Sequence, residues 1–330
     1  MIQRFKDNNI KSFLSYLFFR FSQKIGNRIQ RNLNFKGDYQ FVDRIQGADK
    51  VMIIVAGYKP DLWEMTIPRM IRAVKDAKID VCIVQPKANE NSPKLIEIAE
   101  MNSWSYLCTE ENKLSLAQNI AIDLHKDAKY IYKVDEDIFL PQGFVDSFMR
   151  YYSMSDDAGY DGGLYVPLLN VNGHTYIKLL EKLDLIDDYS EKIESPKSSC
   201  TNVKAHYDPE ASYYLWKNIL PFDETAEKIL NSPTDISVCP HRFSIGAFMI
   251  TREFWSVVGG FKQSPLEAVL GVEEDQICVD CSRHSKPIVV FNNILVGHFS
   301  FGPQTKFMTE KINELKAIDE DLVVGELNHK

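Results

Sequence analysis

Three carboxylates stand in a row, Asp135, Glu136 and Asp137, where the apolar run YIYKV (130–134) ends and just before the chain turns at Pro141. Side by side they repel one another, so a fold that keeps them at a strand tip needs something to offset their charge. A hard divalent cation would do so. Mg2+ and Mn2+ take carboxylate oxygens and hold phosphate oxygens at the same time. On extended chain, residues i and i+2 share a face, so Asp135 and Asp137 converge while Glu136 points elsewhere. For the triplet taken alone, a solvated acidic turn is the simpler account. A second acidic group, Glu273, Glu274 and Asp275, opens the stretch VEEDQICVDCSRH (272–284). There, plain helix N-terminal charge suffices as an explanation. His298 in ILVGHFSF (294–301) is either a metal ligand or an ordinary core or surface histidine.

The pattern around these groups says what must position them. Apolar, β-branched runs at 51–57, 79–85, 104–108 and 130–134 read as strands. Between them, 61–78 reads as a helix with Pro68 inside or dividing it, 93–102 as a short helix, and 113–127 as a helix with apolar residues at 114, 117, 120, 121 and 124. A helix follows at 144–152 and a strand at 163–169. Alternation of this kind implies right-handed βαβ units and a mostly parallel sheet flanked by helices. In such sheets ligands collect at the carboxyl ends of the strands, where the acidic triplet lies. Residues 170–243 look irregular, either an inserted subdomain or a long functional loop region. Order returns with strands at 245–250, 287–291 and 294–301 and helices at 252–258 and 272–284. The expected division is a basic amphipathic segment 1–36, an α/β domain 37–302 and a charged tail 303–330, helical or disordered.

Charge and cysteine usage narrow the function. Net charge is -8, yet residues 1–36 hold eight basic residues against Asp7 alone, a balance of +7 that leaves -15 on the rest. An acidic body of this kind argues against nucleic-acid binding. The basic start contains FLSYLFFRF (13–21), too short an apolar run to span a membrane and not followed by a small-residue cleavage site. It suits a membrane interface rich in anionic lipid, or equally a helix packed on the body or on a second copy of the chain. Of the six cysteines, Cys82 and Cys108 sit in apolar runs, and Cys278 and Cys281 form a single CxxC without a second pair for structural zinc. A reducing cytoplasm fits this usage.

Three segments carry a resemblance. LSLAQNIAIDLHKDAKYIYKVDEDIFLP, FSIGAFMITREFWSVVGGF and GVEEDQICVDCSR occur in the order of the GT-A glycosyltransferases, and the chain resembles their family-2-like inverting group over roughly residues 50–300, apart from the middle insertion. The resemblance implies a GT-A (Rossmann-like) fold and a cation, Mn2+ or Mg2+, held by Asp135 and Asp137 with His298 completing the set. It implies Asp275 as general base, with Glu274 beside it. It also implies donor contacts from Ala56, Gly57, Tyr58 and Lys59 after the first strand, from Asn119 on the preceding helix, and from Asp135 and Glu136. An ordinary strand-to-helix turn is the competing account of 56–59, and a buried polar contact that of Asn119. Arg283 matches a basic residue of the acidic helix, with a surface role as its alternative. The chain departs from the pattern at Gln85, where an acid is common, and at Gln118, where Arg is. Trp216 in the middle region has a face to offer a sugar ring, though buried packing is the default for Trp.

The expectation is therefore a metal-dependent inverting glycosyltransferase. It would move a sugar from a nucleotide-sugar, a UDP-sugar first, to a glycan or lipid-linked acceptor in surface polysaccharide assembly. The enzyme would be cytoplasmic, peripheral on the membrane face if residues 1–36 bind it, and open to oligomerisation. The rivals are a catalytically inactive scaffold or binding protein of the same fold and a metal-dependent phosphate-ester hydrolase. A nucleotidyltransferase is disfavoured because AGYKP is not a Gly-rich phosphate loop.

Overall fold

A computed structural model describes residues 34–264, 266–269 and 271–319, with positions 14, 17, 18, 21 and 322. Most of the basic segment 1–36 and the end of the tail lie outside the described residues. In chain order, β1 (Tyr39–Val42) and β2 (Lys50–Val55) lead to α1 (Trp63–Val74), β3 (Asp80–Pro86), α2 (Ser92–Met101), β4 (Ser105–Thr109), α3 (Leu114–Leu124) and β5 (Tyr130–Asp135). The two-residue β6 (Ile138–Phe139), α4 (Phe144–Asp157) and β7 (Leu164–Leu169) follow the acidic tip. Next come α5 (Tyr176–Lys182), α6 (Ile186–Lys192), α7 (Lys204–Tyr207), α8 (Pro209–Asn218) and α9 (Phe222–Leu230). The chain returns to the sheet with β8 (Ile236–Cys239), β9 (Ala247–Thr251), α10 (Arg252–Val258), α11 (Val272–Arg283) and β10 (Ile288–His298), then ends in α12 (Gly302–Glu310) and α13 (Ile312–Ile318).

One mixed sheet results, in the order β1-β4-β3-β2-β5-β9-β7-β10-β6, with β8 paired to β10. β4, β3, β2 and β5 are mutually parallel, β9 runs against both β5 and β7, and β7 is parallel to β10. Six strands therefore point the same way, and the carboxyl ends of β2, β5 and β10 open on one edge. Helices cover both faces, which is why the central strands read as unbroken apolar runs. Val51, Met52, Ile53 and Ile54 are wholly enclosed, and each such side chain contributes about 1.5–3 kcal/mol.

The stretch 170–243 is not irregular. It holds five helices, gathered on a second apolar cluster in which Tyr176, Tyr189, Trp216 and Phe222 are fully enclosed, and the strand β8, which joins the main sheet beside β10. These helices run only four to ten residues, too short for an apolar period to stand out in the sequence. α12 and α13 add Met308 and Leu315 to the same cluster, so the described part of the tail is helical and packed. The runs 287–291 and 294–301 belong to one strand, β10, whose register against β7 shifts between Phe291 and Leu295. Asn292 and Asn293 sit at that shift, and their amides bond Asp235, Ser237 and the backbone of Ile229 and Ser232. Pro68 lies within α1 and does not divide it. Among the described residues no helix is long and apolar enough to cross a membrane.

The two clusters meet at the end of β10. Trp216 Nε1 donates to the carbonyls of His298 and Phe299, at 2.9 and 3.1 Å. Gly297 leaves room for that indole: a Cβ there would stand 2.6 Å from Trp216 Cη2 and 3.0 Å from Phe139 Cβ. Gly297→Ala is therefore expected to lower stability by about 1–3 kcal/mol, the usual cost of overpacking, as read by urea unfolding. A change inside about 0.5 kcal/mol, the range of a neutral surface substitution, would contradict the tight fit.

Candidate functional site

The acidic triplet is pinned by three strands. Val55 of β2 pairs in register with Asp135 of β5, so the loop 56–59 lies beside the tip. The backbone N–H of Asp135 donates to Gly246 and that of Glu136 to Val55, both at 2.9 Å. The chain then doubles back as β6, pairing Ile138 with His298. One step further along this antiparallel ladder, Phe299 N–H donates to the Asp137 carbonyl at 3.1 Å. Register alone thus sets Asp137 beside His298.

Each acid has a different partner. Asp137 is 2% exposed, with Oδ2 2.5 Å from Lys59 Nζ and 3.5 Å from His298 Nε2. Burial opposes its charge, but Lys59 and His298 outweigh burial and hold Asp137 well below the usual carboxylate range. Lys59 is raised in turn: burial disfavours its charge, and Asp137 more than compensates. Asp135 Oδ1 takes Lys133 Nζ at 2.6 Å, and the buried Lys133 also donates to the Ile245 carbonyl at 2.9 Å. Burial nonetheless leaves Asp135 raised, with Lys133 pulling down and Asp137 pushing up. Glu136 turns to the protein. Its carboxylate accepts from Gly57 N–H at 3.0 Å, Tyr58 N–H at 2.9 Å and Trp63 Nε1 at 2.7 Å. Gly57 has φ +139°, a conformation open to glycine, and this lets two successive amides reach one carboxyl group.

The tip forms one wall of a pocket of about 370 Å³. Tyr58, Lys59, Pro86, Asn112, Lys133, Asp135, Glu136, Asp137, Glu273, Glu274 and His298 line it. The Tyr58 hydroxyl donates to Asn112 Oδ1 at 2.6 Å, which holds the half-exposed ring at the rim. Not every residue expected at the site reaches it. Ala56 is enclosed in the core. Asn119 is fully buried, its Nδ2 donating to the carbonyls of Asn34 and Phe261 and its Oδ1 accepting from Phe261 N–H, so it clasps chain segments together. Gln85 is buried against Tyr106 and Asn89. Trp216 supports His298 from within the second cluster and has no face free for a sugar. Arg283 is exposed, 3.4 Å from Asp280.

The helix of acids divides in the same way. The buried face of α11 carries Glu273, Ile277, Cys278 and Cys281. At 100° per residue, Asp275 falls some 200° from Glu273. Asp275 is accordingly exposed, 2.6 Å from Arg242 Nη1, and lines a neighbouring cleft. Glu274 is clamped by Arg242 at 2.5 and 2.9 Å and by the Ile245 N–H at 3.1 Å. Glu273 lines the pocket, is 4% exposed and leaves Oε2 without a hydrogen-bond partner. Burial pushes its carboxyl up. Lys133 and Glu273 are ionisable lining groups to which the sequence analysis gave no role at the site. A lysine two residues before Asp135 in an otherwise apolar strand was the available signal for the first.

Carboxylates and an imidazole share this edge of the sheet: Asp137 Oδ2 and His298 Nε2 lie 3.5 Å apart, and each lysine occupies one oxygen of an acid that has two. Asp135 stands further off, since the three side chains do not bring their ligand atoms within 4.8 Å of one another. No protein-family model matches the chain, and no curated protein matches it. Among solved structures it is similar to the mannosyltransferase PcManGT from Pyrobaculum calidifontis in complex with GDP-Man and Mn2+. Identity is 12%, the TM-score 0.46, and the match covers 89% of this chain and 70% of that one. A likeness that loose fixes neither family nor chemistry.

Glu136→Gln sets an amide NH2 against donors that now meet a carboxylate. It is expected to cost about 1–3 kcal/mol and to speed hydrogen exchange at the Gly57 and Tyr58 amides. Unchanged protection there would mean that Glu136 does not hold the loop.

Proposed function

We propose that the chain transfers a sugar from a nucleotide-sugar donor to a hydroxyl acceptor, with a divalent cation, Mn2+ or Mg2+, held by Asp135, Asp137 and His298. The observation that carries this reading is the meeting of Asp137, His298 and Lys59 at one end of the sheet, on the wall of a pocket large enough for a ligand. A cation bound there supplies positive charge to the diphosphate that leaves when the glycosyl bond breaks. Lys59 is partly exposed and rotatable, so it can leave Asp137 for a phosphate oxygen once the acid has another partner. Tyr58 offers its ring to the base, which stays open; a UDP-sugar is the first candidate.

Acceptor activation falls to the acidic helix. A general base needs a lone pair that can meet the reacting hydroxyl. Glu273 lines the pocket with Oε2 unpaired, and burial raises its carboxyl, which favours taking a proton; Oε2 is enclosed here, so the side chain must turn to meet the acceptor. Glu274 and Asp275 are held by Arg242 and act on this reading as a positioning pair. Attack opposite the leaving diphosphate in a single displacement inverts the anomeric centre. The acceptor is a glycan or lipid-linked sugar of a surface polysaccharide. The exposed helical positions Leu14, Leu17, Phe18 and Phe21 within a basic segment support a peripheral place on the cytoplasmic membrane face.

Thermal unfolding with UDP, GDP and CMP, each with and without Mn2+, tests the donor site. One nucleotide at a hundred times its dissociation constant should add about 2.7 kcal/mol, only with Mn2+ and not in Asp137→Asn. No shift for any nucleotide would favour an inactive scaffold. Donor turnover that survives EDTA would assign the charge stabilisation to Lys59 and Lys133 instead of a cation. For the base, Glu273→Gln should slow transfer by roughly 10²–10⁴-fold with donor affinity kept, while Asp275→Asn costs less than about ten-fold. The reverse order in steady-state rates would return the base to Asp275.

A further inference from the structure

His174 follows β7, and Cys239 and His241 lie where β8 ends, yet a ring nitrogen of each histidine and the Cys239 thiol lie within 4.8 Å of one another. Cys239 Sγ is 3.7 Å from His241 Nδ1. In a tetrahedral zinc site, Zn–S near 2.3 Å and Zn–N near 2.0–2.1 Å put sulfur and nitrogen about 3.5–3.6 Å apart. The two rings stand edge to face with centroids 5.2 Å apart. The Ser198 hydroxyl bridges the rings, 2.8 Å from His174 Nδ1 and 3.0 Å from His241 Nε2, and so lies on the side of His241 away from the nitrogen nearest the thiol. That nitrogen, Nδ1, rests 2.8 Å from the Arg242 carbonyl and would exchange this contact for the ion, with water in the fourth position. The CxxC on α11 is not part of this set: Cys278 Sγ donates to the Phe243 carbonyl, and Cys281 packs against Gly163.

We infer that His174, Cys239 and His241 form a zinc site that ties the start of the helical insertion to the β8–β9 connection. Thiolate and imidazole together select a borderline-soft ion such as Zn2+ over the Mg2+ or Mn2+ that suits the carboxylates of the pocket. Cys239 is buried, but both histidines are partly exposed, and Cys239 and His241 line a surface cleft through which an ion can enter. The connection that zinc would fix continues directly into Arg242, the residue that clamps Glu274 and Asp275. Zinc at this place is therefore structural, and it bears on the acidic helix through Arg242.

The full chain, stripped with chelator, is titrated with Zn2+ against a competing indicator and separately with Co2+. Wild type and Asp137→Asn should each take up one Zn2+ per chain and show a thiolate-to-cobalt charge-transfer band. Cys239→Ser should lose the band, and His174→Gln, at a partly exposed position, should bind Zn2+ at least roughly ten-fold more weakly, since even outer partners of a ligand are worth that much. Circular dichroism confirms that each variant is folded. Should Cys239→Ser lose its fold, His174→Gln decides alone. Absence of the band in wild type, or affinity unchanged in His174→Gln, overturns the site. Loss of zinc in Asp137→Asn also overturns it, because the ion would then belong to the pocket.

Discussion

Three adjacent carboxylates can stand at a strand end only if each finds a different counterweight, and the edge of the sheet is built around that requirement. Lys133 on the same face of β5 answers Asp135, backbone amides and an indole answer Glu136, and Lys59 with His298 answers Asp137. The three solutions differ in kind. Glu136 is consumed by structure and shapes the loop that carries Tyr58 and Lys59. Asp137 keeps its charge at any ordinary pH, and Asp135 is left uneasy, with burial and Asp137 both pushing against its ionisation. Asp137 thus stays ionised among its partners, while burial holds Asp135 toward its protonated form unless further positive charge reaches it.

The rest of the fold keeps that edge in place. β6 is only two residues long, yet its pairing with β10 is what sets Asp137 beside His298. β10 in turn is supported at its end by Trp216, which belongs to the helical insertion. The insertion is thus part of the scaffold of the site and not an appendage. It is also attached where His174 meets His241 across the Ser198 hydroxyl, one residue before the Arg242 that holds the acidic helix.

Much of the architecture could be read from the chain because buried parallel strands leave a blunt signal. VMIIV and YIYKV are apolar on both faces, and the acids that follow mark the ends where the sheet opens. What stayed hidden depends on context beyond a short window. β1 is a half-exposed edge strand with no apolar run to announce it. The helices of the insertion are too short to show a period. At the site, the types of residue were legible but their directions were not. EED reads identically whichever acid faces the pocket, and only the packing of Ile277, Cys278 and Cys281 turns Glu273 inward and Asp275 out. Asn119 illustrates the same point, since a helical Asn near a strand end suits a ligand contact or a buried clasp, and its partners Asn34 and Phe261 lie 85 and 142 residues away along the chain.

The claim on which the account rests is that Asp135, Asp137 and His298 hold a divalent cation facing a nucleoside diphosphate. The most direct measurement is a crystal structure of the full chain with Mn2+ and the nucleotide that binds, using anomalous scattering to locate the metal. The account predicts a manganese peak within coordination distance of Asp137 and His298, with the diphosphate beside it and Lys59 turned from Asp137 onto phosphate. A diphosphate in the pocket with no manganese at these residues, and with Lys59 still on Asp137, would contradict it.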